Sequence, residues 1–148
     1  MTLPTQSLLA GLGEHPVIFV DTAPIIYWLE GHPRFAERFA EVFEGAALGN
    51  LSVVISTITL AEVVAGPLRS RDEVLAAQYK EALTRSLGWQ VYPLDVETAV
   101  EAARLQSVYS LRLPDAIQVA TAIRAGARAI ATHDGDLRRV KGLTIIGP

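Results

Sequence analysis

Four acidic residues, Asp21, Glu62, Asp115 and Asp134, are far apart in this chain, yet each stands where an α/β fold aims a side chain at one pocket. Asp21 ends the apolar run Val17-Ile18-Phe19-Val20, and Asp134 follows Ala129-Ile130-Ala131-Thr132. Asp115 follows Pro114 at the head of the helical segment 114–125, and Glu62 falls in the first turns of a helix after the run Leu51 to Ile55. In an open parallel sheet, ligands bind just outside the carboxyl ends of the strands. Converging carboxylates repel one another unless a cation joins them, and an all-oxygen donor set suits Mg²⁺ or Mn²⁺. An ion held this way polarises a phosphoryl oxygen, lowers the pKa of bound water and orients in-line attack. The chemistry implied is metal-dependent hydrolysis of a phosphodiester.

The elements that must position these acids alternate between strand and helix. Strand 17–20 leads into a helix over roughly 23–30, with Asp21 or Thr22 as N-cap and Pro24 in the first turn. Gly31-His32-Pro33 breaks that helix, and a second over about 35–43 places Phe35, Phe39, Val42 and Phe43 on one face. A β-branched strand over 51–55 precedes a helix capped by Ser56 or Thr57, which the pair Gly66-Pro67 is expected to end. Further helices are predicted over 72–87, from Asp95 to about Tyr109 and over 114–125, and further strands over 89–92, 128–132 and 143–146, with a helical turn over 136–140. Such alternation implies a parallel sheet covered on both faces.

The composition sets the frame. At 148 residues the chain is most simply one domain, with residues 1–15 as an N-terminal extension, and its apolar half and charged fifth fit a globular protein. There is no cysteine, which excludes disulfides, thiolate zinc and thiol nucleophiles and fits a cytoplasmic setting. The start, MTLPTQSLLAGLGEHP, lacks the basic n-region of a signal peptide, and no apolar stretch approaches the roughly 20 residues of a membrane span. The net charge of −3 is unevenly spread. Residues 1–100 hold 6 basic against 12 acidic side chains, and residues 101–148 hold 7 against 4. A basic C-terminal third can supply phosphate contacts.

Other chemistries find no support. His15 and His32 sit beside prolines, no His-x-x-x-His pair exists, and His133, next to Asp134, reads as a solvated strand-end histidine ahead of a contact to substrate or metal-bound water. Neither a Gly-x-Ser-x-Gly elbow nor a Gly-x-x-x-x-Gly-Lys loop is present. A haloacid-dehalogenase phosphatase would place Asp-x-Asp after its first strand, whereas Asp21 is followed by Thr22 and Ala23. A receiver domain needs a phosphoacceptor Asp ending a central strand, and Ser56 follows the run ending at Ile55. Each acid also has a local reading: Asp21 as an N-cap, Asp115 as a helix-start acid, Asp134-Gly135-Asp136 as a turn. Glu62 is harder to explain locally, because it lies among Leu60, Ala61, Val63 and Val64.

The segments DTAPIIYWLE, ISTITLAEV, LPDAIQVATA and IATHDGDL, taken in this order, resemble the four acidic motifs of PIN-domain ribonucleases, especially VapC-type toxins of bacterial toxin–antitoxin pairs. The resemblance spans about Val17 to Ile146. It implies a three-layer α/β/α sandwich with a mainly parallel sheet, and a Mg²⁺- or Mn²⁺-dependent endoribonuclease in which Asp21, Glu62, Asp115 and Asp134 are the metal-binding acids. Asp136 matches a further acidic position, while His133 and Leu137 stand where Asn and Phe are frequent in the family. Thr22 and Thr132 are expected to orient carboxylates by hydrogen bonding. Arg112, Arg138 and Arg139, with Arg69 and Arg71, are the candidates for RNA phosphate. Tyr27 and Trp28 fit core or partner packing better than base stacking. The implied partners are an RNA substrate, a cognate antitoxin protein and a second copy in a homodimer, with the helix faces near Ile25–Leu29 and Phe35–Phe43 as interfaces. A nuclease of RNA maturation or DNA repair without an antitoxin, and a non-cleaving nucleic-acid-binding module, are the alternatives.

Overall fold

Short runs rich in Val, Ile and Ala form the strands, and most are followed by a residue able to cap a helix. The computed structural model describes residue 7 and residues 9–147, so residues 1–6 and 8 of the expected N-terminal extension lie outside the described residues. Among the described residues there are five strands: β1 (Val17–Val20), β2 (Ser52–Ser56), β3 (Trp89–Tyr92), β4 (Ala129–Ala131) and β5 (Thr144–Ile146). They form one all-parallel sheet in the order β3-β2-β1-β4-β5. The connection from β1 runs to one side and the chain later crosses back to place β4 on the other. The strand order therefore reverses at β1/β4, the crevice position for a ligand in such sheets. Register sets Val20 opposite Ala131, so the carboxyl ends of these two strands are level.

Six α-helices cover the sheet: α1 (Thr22–Glu30), α2 (Ala36–Ala47), α3 (Thr57–Arg69), α4 (Glu73–Arg85), α5 (Val96–Tyr109) and α6 (Leu113–Arg124), among the described residues. Alternate strand residues feed two cores, as the pleat requires. Ile18, Val20, Val53, Ile55 and Ala131 face α1–α4 with Ile25, Phe39, Val42, Val63 and Leu83. Phe19, Val54 and Ile130 face α5 and α6 with Ala102, Leu105, Ala116, Val119 and Ala120. The result is the expected α/β/α sandwich. Leu12 of the extension is buried in the first core.

Three expectations need correction. Helix α3 does not stop at Gly66-Pro67 but continues to Arg69. Pro67 lies in its last turn, where it gives up one backbone hydrogen bond, and Gly66 before it has no Cβ to meet the proline ring. Helix α2 extends to Ala47, past the predicted end near residue 43, with Gly45 packed against Leu51. Finally, the faces proposed for partners point largely inward. Ile25, Phe39 and Val42 are fully buried, and Trp28 stacks on Phe43 and Trp89 at centroid distances of 4.6 and 5.4 Å. The exposed large apolar residues lie outside those two segments, among them Leu48 just past α2, Leu68 on α3, Val74 on α4, and Val96, Val100, Val108, Leu113 and Ile123 on α5 and α6. Periodicity shows that a helix has an apolar stripe, not which stripe the tertiary fold covers. Among the described residues no helix is long and apolar enough to cross a membrane.

Candidate active site

The carboxyl ends of β1 and β4 and the starts of α3 and α6 bring Asp21, Glu62, Asp115 and Asp134 to the lining of one pocket. Its volume is about 620 Å³, and Thr22, Ile26, Arg112, Gln118, His133 and Asp136 also line it.

Each acid is placed by a local device. Asp21 is the N-cap of α1, its Oδ1 accepting the Thr22 amide at 2.8 Å. The local reading and the site reading therefore coexist in one side chain. Its Oδ1 also accepts from Gln118 Nε2 at 3.0 Å, and its Oδ2 from Thr132 Oγ1 at 2.8 Å. The Thr132 hydroxyl in turn accepts the Asp134 amide at 3.0 Å, tying the two strand-end acids together. Asp134 caps the 3-10 turn Gly135–Arg139, with Oδ1 accepting the Asp136 amide. Asp115 sits in the first turn of α6 behind Pro114, and its Oδ2 accepts from Arg112 Nε at 3.1 Å. Arg112, a candidate for RNA phosphate, thus already holds a site carboxylate while remaining largely exposed. Glu62 is an exposed side chain of α3. Its apolar neighbours serve the core while it serves the site: Val63 turns to the core and Glu62 to the pocket.

Of the other candidates, Thr22 Oγ1 meets Thr59 Oγ1 at 3.1 Å, and exposed Asp136 stands at the pocket rim. Arg138 and Arg139 lie exposed on the 3-10 turn, away from the pocket lining, with Arg139 Nε donating to the Asp136 carbonyl at 3.2 Å. Tyr27 packs beside Phe35, His32 and His133. The sequence reading missed Gln118 and Thr59, and it took Ser56 only as a helix cap. One signal was available. Gln118 stands three residues after Asp115, on the same helix face, inside the otherwise apolar run from Ala116 to Ala120.

Charge crowding shows in two of the acids. Partial loss of water at the pocket wall, and then the charges of Asp21 and Asp115, push the Glu62 carboxyl above its usual range. Burial also raises Asp115, with Asp134 and Asp21 adding to it and the Arg112 guanidinium opposing. A raised carboxyl means that the folded chain holds these protons more tightly than the unfolded chain. Stability should therefore fall as pH rises from the ordinary carboxylate range through the raised values. Asp95 works the other way: the Thr98 side chain and amide at the cap of α5 hold it below its usual range, so its contribution is lost at lower pH. In metal-free buffer, Glu62→Gln should flatten the fall in melting temperature on the neutral side of the acid range. A variant whose melting curve against pH overlays that of wild type would show that Glu62 feels no such crowding.

As the side chains stand, no three acidic or histidine groups among the described residues come close enough to hold one metal ion. The donor set nevertheless suits a hard cation. Mg²⁺ keeps several waters and is usually held by one or two carboxylates together with substrate phosphate, so it does not need a three-sided protein cage.

A parallel α/β/α sandwich with an acid-lined pocket at its strand-order reversal is the class that fold and site define. Residues 18–143 match the family model described as PIN domain, and the chain belongs to that family. No curated protein matches it. Among solved structures it is similar to VapBC2 from Rickettsia felis bound to a DNA fragment from its promoter, with a TM-score of 0.69 and 17% identity over 87% of this chain and 96% of the other. It is also similar to VapBC-1 from nontypeable Haemophilus influenzae, with a TM-score of 0.69 and 21% identity over 88% and 97%. For Mycobacterium tuberculosis VapC20, a sarcin–ricin loop cleaving toxin, the TM-score is 0.66 with 16% identity over 85% and 96%. At these identities the likeness establishes the fold.

Proposed function

We propose that this protein is a nuclease, specifically a Mg²⁺- or Mn²⁺-dependent endoribonuclease, and that it acts as the toxin of a toxin–antitoxin pair. The observation that carries this reading is the common pocket of Asp21, Glu62, Asp115 and Asp134. Asp21, Asp115 and Asp134 would hold the ion, with Glu62 a further ligand or the group that positions the attacking water. When bound, the ion supplies charge neutralisation at the phosphoryl group and a more acidic water. Thr132 and Gln118 keep the Asp21 carboxylate aimed, and Asp136 stands at the rim where substrate enters. An antitoxin protein as inhibitor, a homodimer and a cytoplasmic location belong to the same reading, supported by the fold shared with chains of VapBC complexes.

The test is to incubate purified, partner-free protein with single-stranded RNA in Mn²⁺, Mg²⁺ or EDTA and to sequence the new ends. Cuts at defined positions that appear with metal and vanish with EDTA are expected. Tight RNA binding without cleavage in any metal would instead identify a binding module.

Arg112 should contribute mainly to substrate binding. Arg112→Ala is expected to weaken RNA binding and to lower the salt slope by about one released counterion. Unchanged affinity and slope would confine Arg112 to its ion pair with Asp115.

A further inference from the structure

Gln118 is 4% exposed, yet its carboxamide makes three hydrogen bonds inside the pocket wall. A carboxylate only accepts hydrogen bonds, so the atom facing Asp21 Oδ1 at 3.0 Å must be Nε2. That orientation makes Oε1 the atom facing Ser56 Oγ at 2.5 Å, and Ser56 must donate to it. Ser56 Oγ then accepts the Thr59 amide at 3.0 Å, which caps α3. The second amide hydrogen of Gln118 goes to Thr59 Oγ1 at 2.7 Å. Either hydroxyl could donate across the 3.1 Å between Thr59 Oγ1 and Thr22 Oγ1; with Ser56 committed to Gln118 and 3.4 Å away, Thr22 is the nearer acceptor for the Thr59 hydrogen. In that direction Thr22, which lines the pocket, accepts from behind and keeps its hydroxyl hydrogen for a group in front.

We propose that Gln118 is a positioning residue that clamps Asp21 and sets the direction of the Ser56–Gln118–Thr59–Thr22 chain, so that Thr22 offers its hydroxyl hydrogen to a phosphate oxygen of the bound nucleic acid. The role of Thr22 rests on the nuclease reading; the direction of the chain does not. A glutamine amide is suited to the task because it both donates and accepts, whereas a leucine of similar size does neither. A glutamate at the same place would set a second carboxyl against Asp21 Oδ1, where the two would share a proton. With at most that one hydrogen it could not donate to both Asp21 and Thr59. It would draw the Thr59 hydrogen toward itself, and Thr22 would then have to turn its own hydrogen back to Thr59.

Gln118→Leu and Gln118→Glu separate these effects. Removing a group that orients a metal ligand typically weakens metal affinity or activity about 10–100-fold. The Mn²⁺ concentration that half-saturates the rise in melting temperature should therefore increase about 10–100-fold in Gln118→Leu, with a similar fall in kcat and little change in KM for RNA. Thr22→Val should reduce kcat/KM in the wild-type background, Thr22→Ser should restore most of it, and Thr22→Val should cost nothing further in the Gln118→Glu background. Ser56→Ala, a milder change, should move the same quantities less, and the Ser56→Ala/Gln118→Leu double variant should be no worse than Gln118→Leu. Additive losses in either pair would overturn the proposal, as would a lower melting temperature with unchanged Mn²⁺ half-saturation and kcat. One readout does not depend on cleavage. The two Gln118 side-chain amide protons should appear as dispersed, slowly exchanging signals in a ¹⁵N spectrum of the wild-type protein. A pair at the position of a solvent-exposed glutamine would overturn the clamp even in an active nuclease. Dispersed signals in a protein that neither binds Mn²⁺ nor cuts RNA would keep the clamp and remove the nuclease reading.

Discussion

Asp115→Asn is expected to yield a folded protein that no longer cuts RNA, melts higher than wild type without metal and gains less from added Mn²⁺. The gain in melting temperature follows from the direction of the Asp115 shift. Burial and the charges of Asp134 and Asp21 raise this carboxyl despite the opposing Arg112 guanidinium, so its ionised form is a net cost to the fold near neutral pH. Asparagine removes the charge at nearly constant size. It also ends the ion pair with Arg112, whose side chain is 80% exposed. An exposed pair contributes only about 0–1 kcal/mol, so repulsion decides the sign. Metal binding stabilises a fold by RT ln(1 + [L]/Kd), about 2.7 kcal/mol at a hundredfold excess over Kd, and a weaker site loses part of that. The ion contributes several kcal/mol to the transition state, so a lost ligand should cost on the order of 10³-fold in rate. A variant that melts lower than wild type in EDTA and still cleaves would reduce Asp115 to a helix-start acid.

The acids were legible because they interrupt a pattern. Asp21 and Asp134 follow apolar strands at the points where the chain turns into a helix or helical turn, and a parallel sheet sends such points to one end. Glu62 interrupts the apolar run inside α3, and Asp115 opens α6. The sheet's strand order was not legible, because alternation of strand and helix fits several orders. The reversal at β1/β4, which sets Asp21 beside Thr132 and Asp134, appears only once the strands are paired. Gln118 stayed hidden for a related reason. Its partners Ser56, Thr59 and Asp21 lie 62, 59 and 97 residues away, and no local rule links them. The helix faces of α1 and α2 were recognised as apolar but assigned to partners, since one sequence cannot reveal whether a stripe meets its own core or another chain. Pro67 misled for the opposite reason. Its local penalty is real, but the helix carries it for two more residues, Gly66 before it having no Cβ to meet the ring.

Asp21→Ala should also abolish cleavage, but its effect on the fold should have the opposite sign to that of Asp115→Asn. The Asp21 carboxylate accepts from the Thr22 amide, Gln118 Nε2 and Thr132 Oγ1. Gln118 and Thr132 are buried at 4% and 1% exposure, so water cannot readily replace the lost acceptor. Loss of an N-cap typically costs about 1 kcal/mol, and each buried donor left unpaired costs about 1–3 kcal/mol before relaxation. Thr132 can rotate its hydroxyl, and Gln118 keeps its bond to Thr59, which lowers the sum. A destabilisation of about 2–5 kcal/mol remains, roughly 5–15 °C in melting temperature for a chain of this size. Relief of charge repulsion in the pocket acts against this loss, but it concerns a partly hydrated cluster, whereas the unpaired donors are sealed in the protein. The two acids should therefore separate in a melting experiment without metal, Asp21→Ala below wild type and Asp115→Asn above it, with both inactive. If both variants melt above wild type, repulsion outweighs the hydrogen bonds around Asp21, and its carboxylate is not the anchor that joins α1, β4 and α6.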